Sequence, residues 1–219
     1  MGEMLHIFTP LHKASKRDCL GRMVDSKVEC MEIAKRFDEE FWDGDRRYGY
    51  GGYKYDGRQE AIARALIAHY GLKDNASILD IGCGKGFLCY ELKKLLPNAR
   101  VAGLDISRYA ITHAKEEIKD SLFVYDVKDP LPFGDGEFDL VLSLGTLHNL
   151  PIFHLKTALQ EMQRVGKRRF VMVEGYRNNE ELFNLECWAL TCESFFRPDE
   201  WIWLFREFGF SGDYEFIYF

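Results

Sequence analysis

The segment ILDIGCGKGF, at residues 78–87, constrains the fold most strongly because it sets three glycines between an apolar run and a helical pattern. The apolar run leads into Asp80, and the residues that follow, FLCYELKKLLP, have the spacing of an amphipathic helix. A strand, a glycine-rich turn and a helix in this order form a cradle large enough for a nucleotide. The spacing is G-x-G-x-G rather than the dinucleotide pattern G-x-G-x-x-G, so residues downstream must decide which ligand the turn holds.

Strand and helix patterns alternate along the rest of the chain. Short apolar runs, several of them without strict polar alternation, predict strands that are buried on both faces of a sheet. We predict strands at residues 77–82, 100–107, 122–127, 138–145, 168–175 and 214–219, and helices at about residues 59–70, 87–96, 109–118, 153–165, 180–190 and 198–208. This alternation with short connections predicts an α/β fold with a doubly wound, mostly parallel, Rossmann-like sheet.

The residues before this alternation form an N-terminal extension in the prediction. A helical pattern runs from about residue 15 to residue 42, where Val24, Val28, Met31 and Phe37 recur among charged residues. The following segment, WDGDRRYGYGGYKYDGR, contains five glycines and four tyrosines, a composition that forbids a regular helix. We therefore divide the chain into residues 1–58, a helical extension that ends in a candidate lid, and residues 59–219, the α/β domain.

Two carboxylates favour a ligand without phosphate. Asp105 lies near the end of the second predicted strand, 19 residues after Gly86, where an acid binds the ribose hydroxyls of a nicotinamide dinucleotide or of another adenosine ligand. Asp80, at the entrance to the turn, would repel a pyrophosphate but would tolerate an ammonium group well. S-adenosylmethionine carries an ammonium and a sulfonium and no phosphate. Asp126, at the end of the third predicted strand, is placed to meet its adenine amino group.

At these residues the chain resembles the class I S-adenosylmethionine-dependent methyltransferases. ILDIGCGKG is similar to their first motif, LDIS to their second, YDV to their third and FDLVLSLGTLHNL to their fourth, and together the motifs cover roughly residues 59–175. WDGDRRYGYGGYKYDGR, TLHNL and GDYEFIYF also resemble a group of bacterial methyltransferases linked with surface-polysaccharide or small-metabolite pathways. The resemblance implies S-adenosylmethionine as cofactor and S-adenosylhomocysteine as product. The cofactor-binding residues that we predict are Asp80, Gly82, Cys83, Gly84, Gly86, Asp105, Ile106, Asp126, Val127, Leu144, Tyr55 and Arg58.

Methyl transfer to a hydroxyl group also benefits from a positioned base. His148, just past the fourth strand, is the first candidate, because an unperturbed imidazole has a pKa of about 6.5. Glu174, which follows the fifth strand on the same sheet edge, is the second candidate. Each also has a purely structural interpretation, as a histidine bonded to a neighbouring loop or as a solvated acid. Residues of the lid and of the loop after strand five are predicted substrate contacts: Tyr50, Tyr53, Tyr176 and Arg177.

Composition argues against several classes of ligand and partner. A net charge of −6 does not favour nucleic acid, and the six cysteines form no C-x-x-C pair, so we predict neither a nucleic-acid partner nor a metal. The apolar runs are too short for a membrane span, and we predict a cytoplasmic monomer or homodimer that acts on a small molecule, with sugars and polysaccharide precursors among the candidates. The alternatives are an RNA or protein methyltransferase, a non-catalytic S-adenosylmethionine-binding protein and, more distantly, a nicotinamide dehydrogenase.

Overall fold

A parallel β-sheet forms the centre of the computed structural model, which describes residues 2–14 and 17–219. Within these ranges six strands pair in the order β3-β2-β1-β4-β5-β6, and every pairing is parallel. The strands are β1 (Ser77–Ile81), β2 (Arg100–Asp105), β3 (Leu122–Val124), β4 (Leu140–Leu144), β5 (Arg169–Glu174) and β6 (Asp213–Ile217). The predicted α/β, Rossmann-like architecture is confirmed.

Helices cover the sheet and form much of the N-terminal extension. They are α1 (Thr9–Lys13), α2 (Cys19–Val24), α3 (Lys27–Ala34), α4 (Glu39–Trp42), α5 (Gln59–Tyr70), α6 (Phe87–Leu95), α7 (Arg108–Thr112), α8 (Glu116–Lys119), α9 (Ile152–Val165), α10 (Asn179–Trp188) and α11 (Pro198–Glu207). Two short 3-10 helices lie at Arg46–Tyr48 and Leu147–Asn149. None of the helices in the described part of the chain has the length and apolar character needed to cross a lipid bilayer.

The core lies on both faces of the sheet because consecutive strand residues point to opposite sides. In β1, Ile78 packs into one apolar cluster with α5 and α6, whereas Leu79 packs into a second cluster with α9 and α11. In β4, Leu140 and Val141 divide in the same way, and all four side chains are fully buried. This two-sided burial explains why the strands read as continuous apolar runs.

The strand order reverses at the centre of the sheet. From the centre of the sheet, β1, β2 and β3 follow one another toward one edge, and β4, β5 and β6 follow one another toward the other edge. The crevice above the carboxyl ends of β1 and β4 is therefore the topological switch point, where open α/β sheets bind their ligands. The glycine turn follows β1 directly at this point.

The structure corrects two helix predictions. The pattern at residues 15–42 forms three short helices, α2, α3 and α4, because Ser26 and Phe37 adopt positive φ angles of 44° and 52° and interrupt it. The predicted start at Ser15 lies outside the described residues. The pattern at residues 109–118 likewise divides into α7 and α8, with a break at residues 113–115.

The N-terminal extension is attached to the last strand of the sheet. Met4 forms a parallel bridge with Tyr214. The fully buried carboxylate of Glu215 accepts hydrogen bonds from the backbone N–H groups of Ile7, Phe8 and Thr9 at distances of 2.6–3.0 Å. These donors lie at the amino end of α1, where a carboxylate also interacts favourably with the helix dipole. Residues 2–13 are thereby held beside β6.

Later residues of the extension form an aromatic cluster above the carboxyl edge of the sheet. Its members are Cys30, Met31, Ala34, Phe37, Phe41, Trp42, Tyr48, Tyr50, Tyr53 and Leu190. Phe41 lies at its centre, with its ring 5.1 Å from that of Trp42 and 5.2 Å from that of Tyr53. The division at residue 58 and the mobile lid stay predictions, and the described contacts place the tyrosine-rich segment in the roof of the crevice.

Candidate functional site

A cavity of about 650 Å³ lies between the carboxyl ends of the strands and the N-terminal extension. Its floor includes the glycine turn, the residues that follow β2, β3 and β4, and Met172 and Glu174 at the carboxyl end of β5. Its roof includes Phe37, Phe41, Trp42, Tyr50 and Tyr53. The cavity thus occupies the topological switch point that the strand order defines.

The glycine turn has a backbone that favours glycine. Gly82, Gly84 and Gly86 have φ angles of 79°, 55° and 68°, in the left-handed region. A Cβ on Gly82 would lie 2.0 Å from Oγ1 of Thr146, so the close approach of the loop after β4 also requires glycine there. The N–H groups of Gly82 and Cys83 both donate to the carbonyl of Leu104, which fixes the turn against β2.

Asp105 lies directly beside this turn. Its carboxylate accepts hydrogen bonds from the N–H of Gly84 and the N–H of Ser107, both at 2.8 Å, and it lines the cavity. Burial raises the pKa of Asp105, and the two backbone donors oppose that shift. Each carboxylate oxygen retains acceptor capacity, so the group is held in place and can accept further hydrogen bonds from a ligand in the cavity.

Asp80 is the second acid of this region, and it is 4% exposed. Burial raises its pKa to about 7, and the charge of Asp105 contributes in the same direction. A ligand cation beside Asp80 would favour its ionised form. The two nearby lysines already pair with other acids, Lys85 with Asp43 at 2.6 Å and Lys128 with Asp126 at 2.7 Å. This acidic setting fits an ammonium group and ribose hydroxyls better than a pyrophosphate.

All but two of the other predicted cofactor residues also line the cavity: Gly82, Cys83, Gly84, Ile106, Asp126, Val127, Leu144 and Arg58. Gly86 and Tyr55 are not among its lining residues. The Tyr55 ring instead packs against Phe87 and Tyr90, and its hydroxyl donates to the buried carboxylate of Glu91. The prediction that Tyr55 contacts the cofactor has no support in this geometry, because its side chain is engaged with α6.

Glu174 reaches the cavity from the carboxyl end of β5. It is 9% exposed, and its Oε2 is buried without a hydrogen-bond partner among the described residues. Burial raises the pKa of this carboxyl to about 7, and the positive charge of Arg17 opposes the shift. A buried carboxylate oxygen that lacks a partner is costly, and a ligand with an O–H or N–H group at this point would satisfy it.

His148 lies behind the cavity wall. It is 3% exposed and is absent from the lining residues, and burial lowers its pKa to about 3. Its Nδ1 accepts from the backbone N–H of Glu174 at 3.4 Å, and its Nε2 lies 3.5 Å from Oε2 of Glu174. The prediction of His148 as a base beside the methyl group loses its geometric support, because a buried neutral imidazole has no contact with the cavity. Its ring instead lies beside Glu174 and accepts from the backbone of that residue.

The predicted substrate residues divide into two groups. Tyr50 and Tyr53 line the cavity. The Tyr50 hydroxyl accepts from the N–H groups of Leu190 and Thr191, so it also holds the roof to the residues after α10. Tyr176 and Arg177 do not line the cavity, since Tyr176 packs in a separate apolar cluster and Arg177 pairs with Glu181.

Sequence reasoning did not identify two arginines of the cavity wall. Arg17 and Arg46 line the same part of the cavity as Glu174 and Trp188. Arg47, the next residue after Arg46, instead pairs with Asp25 at 2.9 Å and does not line this cavity. Arg46 belongs to the tyrosine-rich segment, which the sequence does identify as a candidate lid, but no motif in residues 1–17 identifies Arg17 as a site residue.

The parallel sheet, the glycine turn and the acids after β1 and β2 define a class I S-adenosylmethionine-binding fold. A family model described as a methyltransferase domain matches residues 72–209, and the chain belongs to this family. The family uses S-adenosylmethionine as its methyl donor. No group of three or more His, Cys, Asp or Glu side chains in residues 2–14 and 17–219 is arranged to hold a metal ion.

Curated relatives of the chain include methyltransferases. The chain is 30% identical over 129 residues to an uncharacterised methyltransferase of Synechocystis sp., in a match that covers 58% of this chain and 60% of the relative. It is 28% identical over 176 residues to a malonyl-[acyl-carrier protein] O-methyltransferase of Ilyobacter polytropus, covering 76% of this chain and 63% of that one. The matches thus span about three fifths of the length of these two relatives.

Solved structures agree with the fold. A Bacillus halodurans structure assigned as a methyltransferase has a TM-score of 0.56 at 18% identity and covers 67% of this chain and 68% of its own. A Haloferax volcanii protein of the same assignment, solved in complex with the Trm112 methyltransferase activator, has a TM-score of 0.55 at 19% identity and covers 89% and 77% of the two chains. At these identities the likeness concerns the fold alone.

Proposed function

We propose that this protein transfers a methyl group from S-adenosylmethionine to an oxygen or nitrogen atom of a small molecule held in the cavity. Glu174 accepts the proton of the attacking group. The observation that carries this proposal is the buried Oε2 of Glu174, which lines the cavity and has no hydrogen-bond partner among the described residues.

The residues around the glycine turn hold the cofactor. Asp105 accepts the ribose hydroxyls, Asp80 faces the ammonium group, and Ile106, Val127 and Leu144 contribute apolar walls to the same region. When bound there, S-adenosylmethionine supplies an electrophilic methyl group on a sulfonium. The protein's main contribution is then to hold the acceptor in line with that group, since alignment supplies much of the rate in such displacements.

Glu174 is suited to proton transfer at neutral pH. A base works best when its pKa lies near the working pH, and burial brings the pKa of Glu174 to about 7. A hydroxyl acceptor donates its proton to Oε2 as it attacks. An amine acceptor enters neutral, and Glu174 then orients its N–H and takes the proton afterwards.

The roof of the cavity favours a small acceptor over a macromolecule. Phe41, Trp42 and Tyr53 pack against one another above the glycine turn, and Nε1 of Trp42 donates to Oγ of Ser107 at 2.8 Å. An RNA or protein substrate would have to displace this roof. The predicted sugar or polysaccharide precursor stays a prediction, because no lining residue distinguishes it from another small molecule.

The test is methyl transfer to a library of small acceptors, measured as formation of S-adenosylhomocysteine. With an acceptor in hand, Glu174→Gln should lower kcat by about 10²–10⁴, the usual worth of a general base, and keep S-adenosylhomocysteine affinity within a few-fold. Glu186→Gln, an exposed change on α10, is the matched control and should retain activity. Cofactor binding without methylation of any acceptor would favour a non-catalytic binding protein, and normal turnover by Glu174→Gln would exclude Glu174 as the base.

A further inference from the structure

Three arginines surround the indole ring of Trp188, at the end of α10. Their guanidinium carbons lie 5.6 Å (Arg17), 3.9 Å (Arg22) and 5.1 Å (Arg46) from the ring centroid. Burial lowers the pKa of each of them, and the charge of Arg46 further lowers the pKa values of Arg17 and Arg22. Like charges gathered around one ring repel one another, so an anion placed among them would be strongly favoured.

The three side chains are already ordered by contacts with the chain. Arg22 donates to the carbonyls of Arg46 and Gly49 at 3.0 and 2.8 Å, and Arg46 also donates to the carbonyl of Gly49. Arg17 donates to the carbonyl of His12 and contacts Nδ1 of His12 at 3.0 Å. Burial lowers the pKa of His12 to about 4, so the ring is neutral at neutral pH. Its Nε2 lies 2.8 Å from the carbonyl of Tyr218 and carries the proton, which leaves Nδ1 to accept from Arg17. A ligand therefore meets preformed guanidinium groups.

The charges of the cavity fall into two separate neighbourhoods. The charge of Asp105 acts on Asp80 beside the glycine turn. Glu174 interacts electrostatically with Arg17 and Tyr50, and Arg17 with Arg46. The first neighbourhood fits the cofactor, and the second is left for the acceptor.

No carboxylate in the described part of the chain forms an ion pair with Arg46, although its side chain lines the cavity. Three other cations of the cavity differ in this respect, since Arg58 pairs with Asp56, Lys85 with Asp43 and Lys128 with Asp126. The rings of Trp188 and Phe219 supply apolar walls in the same region, with Arg17 lying 5.1 Å from the Phe219 ring centroid. This part of the wall combines flat apolar surface with positive charge.

We infer that the methyl acceptor is a small anionic molecule, whose carboxylate or phosphate binds Arg46 and Arg17 while its hydroxyl or amine faces Glu174. This inference rests on the proposed function and names the substrate class of its site. Guanidinium groups bind both oxyanions through charge-assisted hydrogen bonds. The anionic group of such an acceptor would pair with the arginines. Its O–H or N–H would donate to Oε2 of Glu174, which has no hydrogen-bond partner among the described residues.

Isothermal titration of the full chain with benzoate, benzamide and phenyl phosphate tests this inference. Each probe is titrated with saturating S-adenosylhomocysteine and again without it. We expect benzoate or phenyl phosphate to bind the S-adenosylhomocysteine complex at least about tenfold more tightly than neutral benzamide. Tighter binding of benzoate would assign a carboxylate, and tighter binding of phenyl phosphate a phosphate.

Two neighbouring arginines supply the matched variants. Arg46→Met should weaken binding of the anionic probe by about tenfold or more, and Arg46→Lys should restore part of it. Arg47→Met removes an equal charge one residue away, outside this cavity, and should leave binding unchanged. Benzamide binding as tightly as both anions, equal losses in Arg46→Met and Arg47→Met, or no binding of either anion at about 10 mM would overturn the inference.

One further outcome separates this inference from the proposed function. If the anions bind only in the absence of S-adenosylhomocysteine, the arginines hold the carboxylate of the cofactor, and the inference is wrong although the proposed function stands. Failure of the proposed function would be seen separately, as absence of methyl transfer to any acceptor in the turnover assay.

Discussion

Replacing Glu174 with glutamine should stabilise the folded protein at alkaline pH much more than at acidic pH. The carboxyl of Glu174 titrates at about 7 in the folded protein and at an ordinary 4.5 when unfolded, because the buried group loses hydration. A difference of about 2.5 pKa units corresponds to roughly 3 kcal/mol, at 1.36 kcal/mol per unit. Ionisation of Glu174 thus opposes folding.

The pH range of this effect follows from the raised pKa of Glu174. The folded state binds this proton more tightly than the unfolded state, so the penalty is absent below pH 4.5, grows between pH 4.5 and 7, and is complete above about pH 7. Glutamine is neutral throughout. The stability difference between Glu174→Gln and wild type should therefore rise by roughly 2–3 kcal/mol from pH 5 to pH 8.5.

Urea unfolding at pH 5 and pH 8.5 measures this difference. Wild type, Glu174→Gln and the exposed control Glu186→Gln are compared at each pH, because Asp80 also titrates near 7 and alters the absolute stability of all three. Any fixed cost of the new amide cancels, since only the change with pH is used. A stability difference that is the same at both pH values would refute the reasoning and show that Glu174 is hydrated or paired.

Three other predictions concern the cofactor region and the N-terminal attachment. Asp105→Ala should weaken S-adenosylhomocysteine binding by roughly 1–3 kcal/mol in calorimetry, and wild type should not bind NAD. The affinity for S-adenosylhomocysteine should rise as pH increases through about 7, where Asp80 ionises opposite the ammonium group, and binding at pH 7 should release protons detectable in buffers of different ionisation enthalpy. Glu215→Ala should remove the acceptor of the first N–H groups of α1, so that hydrogen exchange in residues 7–13 accelerates while that in β1 does not.

The sheet was predictable because its signals are local. Strand β1 and the glycine turn follow from an apolar run and three glycines, and α5 ends at Tyr70 because Gly71 adopts a left-handed conformation with a φ of 55°. The breaks between α2, α3 and α4 were not predictable, because Ser26 and Phe37 adopt positive φ angles without a glycine to mark them.

The site residues were predictable only where they lie at or just past the end of a strand and the topology of the sheet fixes their position. Asp80 and Asp105 follow strands whose carboxyl ends meet, so their placement in the cavity follows from topology. His148 also follows a strand, but the 3-10 helix at Leu147–Asn149 turns its ring into the interior. Arg17 and Arg46 reach the cavity through contacts with α10, more than 100 positions away, and no local pattern records such contacts.

The attachment of the N-terminal segment to β6 has a consequence for how the protein folds. The N–H of Glu3 donates to Asp213 across 210 positions of sequence, and the bridge between Met4 and Tyr214 is equally distant. Contacts of such separation carry a large loop-closure entropy and form slowly. The sheet can assemble from nearer pairings, whereas the part of the cavity wall that Ile217 and Phe219 supply must wait for the last strand. During synthesis on the ribosome we therefore expect the chain to acquire its ligand site only after β6 has emerged.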